Sequence, residues 1–183
     1  ALQRLKTSNL GAINADLAGF LTAWLTATES PDKGIAALAQ LPPRRLLAGE
    51  QATIRGMMYL GAGRDEKAID AFNQAQRLPL ASTDLVASLN ARLMASRSDV
   101  AGARKAIALE IDEGGASSLT DHLLTMLDSG QPVTRPKLSI RQGAAITVYL
   151  ASAGGIARSS PELGAPRYSL ALRLDPELAP ARL

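Results

Sequence analysis

The single histidine of the chain, His122, stands beside Asp121 in the stretch Leu119-Thr-Asp-His-Leu-Leu-Thr-Met126. It is the natural first place to look for acid–base chemistry. Helix-period spacing surrounds the pair, and adjacent residues on a helix point about 100° apart, so Asp121 cannot orient His122 as a dyad partner. His122 therefore reads as a surface or boundary residue. The 183 residues include no cysteine, which excludes thiol nucleophiles, disulfide frameworks and Cys-ligated metal centres. A metal centre would need carboxylates, yet no Asp-Asp-x-x-Asp or Glu-x-x-His pattern is present. Asp65-Glu66 opens a helix and favours its dipole, whereas Glu110, Asp112 and Glu113 close one in solvent. Gly61-Ala-Gly63 follows a helix and lacks a strand, a third glycine or Gly-Lys-Ser/Thr, so it is a turn and not a phosphate cradle. Gly-x-Ser-x-Gly is missing as well. The expectation is a non-enzyme with no metal and no cofactor.

The elements that carry these residues are helical. Hydrophobic residues make up 46% of the chain and aromatics only 3%, because Ala and Leu supply the apolar share. Ala and Leu are strong helix formers, while strands draw on β-branched and aromatic residues, so the composition points to an all-α fold. At about 100–200 residues per domain, the length gives one compact domain or one extended array. The net charge of +3 is too small to imply nucleic acid without a localised patch. No uncharged apolar run reaches the roughly 18 residues of a transmembrane helix. The chain opens on Ala1 and closes in mid-pattern at Leu183. A leader upstream is therefore conceivable, and the compartment stays open between cytoplasm and periplasm for what reads as a soluble chain.

Apolar spacing predicts about eleven short helices, over residues 2–9, 14–28, 32–41, 46–61, 65–78, 83–96, 99–111, 117–127, 140–158, 161–174 and 177–183. Ser30-Pro31 predicts an N-cap followed by proline at the first helical position, and Ser159-Ser160-Pro161 predicts another. Residues 128–137 hold Gly130, Pro132 and Pro136 and form the most loop-like stretch. Connections of two to six residues imply antiparallel hairpins.

One stretch repeats. Between Gly56 and Ala75 a small residue, Gly56, is followed by Tyr59, Gly63, Ala68, Phe72 and Ala75. Gly56 and Ala68 suit the closest approach of two helices, Tyr59 and Phe72 fill the space beside them, and Gly63 suits the turn. Gly34 lies 34 residues before Ala68 and Ala103 lies 35 after it. In the downstream copy Ala91, Met94, Ser98 and Ile107 take the places of Gly56, Tyr59, Gly63 and Phe72. Gly164, Tyr168 and Ala171 again fit, with Leu174-Asp175-Pro176 as a helix ending, and the 61 residues from Ala103 to Gly164 leave one degenerate unit between. This pattern resembles the tetratricopeptide repeat, whose length is 34 residues. The final segment, residues 171–183, is most similar to bacterial tetratricopeptide-like proteins that run on into further repeats. Trp24 fits no signature position.

The resemblance implies an antiparallel helix-hairpin solenoid, an α-α superhelix of about four repeats, in a single domain over 1–183. Its parts would be N-terminal repeats over 1–112, a degenerate unit and loop over 113–137, and a C-terminal repeat with the start of a further helix over 138–183. The other architecture open to so Ala/Leu-rich a chain is an unrelated helical array or bundle. In such solenoids the first helix of each hairpin lines a concave groove. By register the groove positions are Thr53, Met57 and Leu60, then Ser88 and Arg92, then Tyr149. Only Arg92 is of the type a carboxylate-binding groove needs, so the groove is expected to be mainly apolar. It either holds an apolar peptide or helix, or is filled by a neighbouring helix of the chain. The implied function is a non-catalytic scaffold for a protein or peptide partner, with self-association into a homodimer through end repeats as a further expectation. Nucleic-acid binding through Arg44, Arg45, Arg92, Arg97, Arg104 and Lys105 is the rival reading, and these cations read first as a solvated face because no repeated base-reading code accompanies them.

Overall fold

The computed structural model describes residues 11–42, 47–80, 82–114, 117–153 and 161–181, and every regular element among them is helical. Nine α-helices follow in chain order: α1 Gly11–Glu29, α2 Pro31–Ala39, α3 Ala48–Gly61, α4 Asp65–Ala75, α5 Thr83–Ser96, α6 Val100–Gly114, α7 Ser118–Asp128, α8 Ile140–Ala153 and α9 Pro161–Leu174. A short 3-10 turn, Ala179–Ala181, closes the described chain where a further helix was expected over 177–183. The helix expected over 2–9 and the cap at Ser159-Ser160 lie outside the described residues, as do Arg44 and Arg45.

Sequence neighbours pair as hairpins: α1 with α2, α3 with α4, α5 with α6, and α8 with α9. Small residues set how closely they pair. A Cβ on Gly34 would come within 2.5 Å of Ala27 Cα, and one on Gly56 within 2.5 Å of the Phe72 ring. Phe72, Ala68, Ala75, Ala103 and Ala171 are all fully buried, as the repeat register requires of contact positions. Gly164 is also buried, and Tyr59 is half-buried with Lys67 over its ring.

The turns recur as one motif. Gly63, Ser98 and Gly130 have φ of 70°, 67° and 66°. In each case the following residue donates its N–H five residues back, from Arg64 to Tyr59, Asp99 to Met94 and Gln131 to Met126. These are Schellman caps, in which a left-handed residue lets the chain satisfy the last helix carbonyls. Ser98 adopts that conformation without being glycine. At the other helix ends, Ser117 and Thr120 form a reciprocal capping box at the start of α7. Ser30 has the extended backbone of an N-cap, but its hydroxyl makes no capping bond and Pro31 alone marks the start of α2.

Two cores result. The smaller joins α5, α6 and α7 through Met94, Ile107, Leu123 and Leu127. Beside it Asn90 donates to Asn73 Oδ1 at 2.9 Å and Gln76 Oε1 at 3.0 Å, while Gln76 donates to the Ala106 carbonyl at 2.8 Å. This chain of amides ties α4, α5 and α6 together without a buried charge. The larger core runs from α1 through α5 and takes in α8 and α9. A linear stack of hairpins would place α8 against α7. Instead α8 packs on α1 and also touches α3, so the last hairpin returns to the first.

Candidate functional site

Residues 131–139 make that return possible. They carry no helix, and proline at 132 and 136 keeps them from joining one. This strap leaves α7, crosses the C-terminal end of α3 and reaches α1. Val133 packs on the smaller core and Leu138 on the larger one. Between them, Arg135 Nη2 donates to the Leu60 carbonyl at 2.7 Å and to Asp65 Oδ1 at 2.6 Å, and its Nε reaches the same carboxylate at 3.2 Å. The arrangement follows helix electrostatics: the guanidinium sits at the negative end of α3 and the carboxylate in the first turn of α4. Arg135 and then Arg97, 3.6 Å away, hold the Asp65 carboxyl below its usual range despite partial burial.

Alongside the strap a cleft of about 530 Å³ opens toward α5, lined by Leu85, Ser88, Leu89 and Arg92 on one side and by Pro136 and Lys137 on the other. A second cavity of about 210 Å³ lies where Trp24 and Met57 face Leu138 and Ile140. Trp24 donates its indole N–H to the Ile140 carbonyl at 3.0 Å, which gives this otherwise unplaced residue a role in joining α1 to α8.

The groove positions read from the repeat register are distributed unequally around these features. Thr53, Met57 and Leu60 are buried to 0%, 0% and 1% exposure, and the Thr53 hydroxyl is spent on the Gly49 carbonyl at 2.9 Å. Tyr149 is buried too, its ring 5.8 Å from that of Tyr168, and burial raises the pKa of both phenols. Of the two expectations for the groove, the positions on α3 fit the filled one, with α1, α8 and Leu138 of the strap packed near them. Ser88 and Arg92 do line open space, in the cleft beside α5, and Arg92 stays half-exposed.

The remaining candidates separate from this site. His122 is exposed on α7 and has no hydrogen-bond partner among the described residues. Two cations of the supposed basic face are paired, Arg97 with Glu66 at 2.7 Å and Arg104 with Asp128 at 2.6 Å; Arg64, outside that set, pairs with Asp32. Among the described residues no group of three His, Asp or Glu side chains is placed to hold a metal ion, and no helix is long and apolar enough to cross a membrane. Sequence reasoning passed over Arg135, Asp65 and Trp24 as site residues. Arg135 carried a signal in its setting, a cation directly before proline in a glycine- and proline-bounded stretch.

No family model matches the chain, and neither the curated proteins nor the solved structures include one that matches it.

Proposed function

We propose that α1 to α7 form a short tetratricopeptide-type superhelix, and that its concave side is a non-catalytic binding groove for an extended segment of a protein or peptide partner. The observation that supports this reading is that residues 131–139, which form no helix, already lie across the α3–α4 turn and along the cleft beside α5, held by side chains at Val133, Arg135 and Leu138. The cleft left open beside them holds Ser88 and Arg92, two positions that the repeat register assigns to the concave face. Leu85, Leu89 and Arg92 share one stripe of α5 at helical spacing, which suits side chains of a strand-like ligand laid along it.

Selection of random peptides displayed against the purified protein tests this. Selected peptides should lose at least tenfold in affinity for Arg92→Glu, a half-exposed position whose replacement leaves the core intact. Recovery of no peptide, or equal affinity for the variant, would refute the groove.

A further inference from the structure

The strap is attached in a way that resembles a ligand more than a structural loop. Residues 132–138 make no backbone hydrogen bond among the described residues. Among the described residues their polar anchorage is the Arg135 side chain, on Asp65 and the Leu60 carbonyl. Thr134 and Lys137 are exposed along the cleft beside α5, and Leu138 is half-buried at the cavity beneath Trp24 and Met57. The strap also leaves the cleft along α5 unfilled. A segment that contributes three side chains and no main-chain bonds can be replaced by another segment with the same side chains.

We propose that this face accepts, from a partner, an extended segment carrying arginine followed directly by proline, with a leucine-like side chain three residues after the arginine, and that residues 131–139 are its intramolecular placeholder. The proposal rests on the groove reading above and specifies the ligand. The receptor for the arginine is built from two acceptors, the Asp65 carboxylate and the carbonyl end of α3, in a geometry that uses more than one N–H of a guanidinium. A lysine ammonium, as a point donor, does not reproduce that fork. Three residues of extended chain span about 10 Å, which carries the apolar side chain from Asp65 to the Trp24–Met57 cavity. Proline after the arginine holds it in the extended region and costs no hydrogen bond, because the main chain of residues 132–138 makes none among the described residues.

The chain lacks cysteine, so Gln131→Cys creates a unique labelling site at the exposed start of the strap, outside the lining of the cleft. An environment-sensitive dye there reports strap displacement in the whole protein. A synthetic peptide copying residues 131–139 should shift the dye signal saturably, and replacing its arginine by alanine or its leucine by aspartate should weaken the effect at least tenfold. An unmoved signal, or an equal response to the arginine-free peptide, overturns the proposal. A signal that moves with protein concentration alone, together with dimer formation in sedimentation, overturns it in favour of a second copy. Peptides of another pattern that bind and move the dye would keep the groove while overturning the Arg-Pro-x-Leu ligand. Silence toward both the copy and a random library would remove both readings.

Discussion

The indole of Trp24 in α1 lies against the backbone of Gly143 in α8 so closely that a Cβ on Gly143 would stand 1.8 Å from Trp24 Cζ2. The same ring donates to Ile140 across 116 residues of sequence. Bulk and donor are thus both spent on one contact, the one that brings the last hairpin back to the first helix. Its requirements are a glycine on one side and the largest side chain on the other.

Gly143→Ala should therefore destabilise the fold by about 1–3 kcal/mol, the usual cost of forcing extra volume into a packed contact. Gly61→Ala is the matched control, since a Cβ there meets nothing within 4 Å. In that open helical position alanine should be worth about 0.5–1 kcal/mol of added stability. Urea unfolding of the two variants reads both signs, and equal effects would show that the Trp24 contact is not tight.

Gly56 and Phe72 make the comparable contact inside the α3–α4 hairpin. Gly56→Ala should cost about 1–3 kcal/mol by the same mechanism. Adding Phe72→Leu should cost less in that background than alone, with a coupling of about 1 kcal/mol, because the smaller side chain frees the space the new methyl needs. Additive effects in a double-mutant cycle would contradict the assigned contact.

Ser98 holds a left-handed backbone where the equivalent caps have Gly63 and Gly130. Ser98→Gly should raise stability by about 0.5–1 kcal/mol, by removing the steric cost of that region for an L side chain. Gly63→Ser should lower it by a similar amount, about 1 kcal/mol. Thermal unfolding of the two swaps measures whether the turns are equivalent.

Asp65 and Glu110 should report opposite pH dependences. Arg135 lowers the pKa of Asp65, so its contribution is fully present above the ordinary aspartate value and is lost as pH falls through the depressed one. Asp65→Asn should cost about 2 kcal/mol at pH 7, the scale of charge-assisted hydrogen bonds, and the deficit should shrink in strong acid. A deficit that stays constant with pH would assign it to packing rather than charge.

Glu110 is 3% exposed and accepts from Thr120 Oγ1 at 3.1 Å. Burial raises its pKa against the opposing pull of Thr120, with Asp84 and Asp121 adding to the rise. The charged form is the penalised one, so the penalty is present above the folded-state value and disappears below the ordinary glutamate value. Glu110→Gln should accordingly be at least as stable as the parent at pH 7, with its advantage vanishing as pH falls below about 4. Lower stability at pH 7 would show that the Thr120 bond outweighs desolvation.

Sequence by itself determined what depends on near neighbours. Helix positions follow from apolar spacing over a few turns, and hairpin pairing follows from short connections that leave adjacent helices little choice of partner. Gly34, Gly56 and Phe72 were legible because a contact between two helices of one hairpin demands a small residue at a set spacing. Tertiary structure alone decided that α8 returns to α1, that Thr53, Met57 and Leu60 are covered, and that Arg135 reaches Asp65 across 70 residues. Periodicity cannot choose among distant partners when every helix presents a similar Ala- and Leu-rich stripe. That choice rests on shape and on single polar bonds: the Trp24 ring fits only where Gly143 leaves room, and the strap lies only where the carbonyl end of α3 and the Asp65 carboxylate offer two acceptors to one guanidinium.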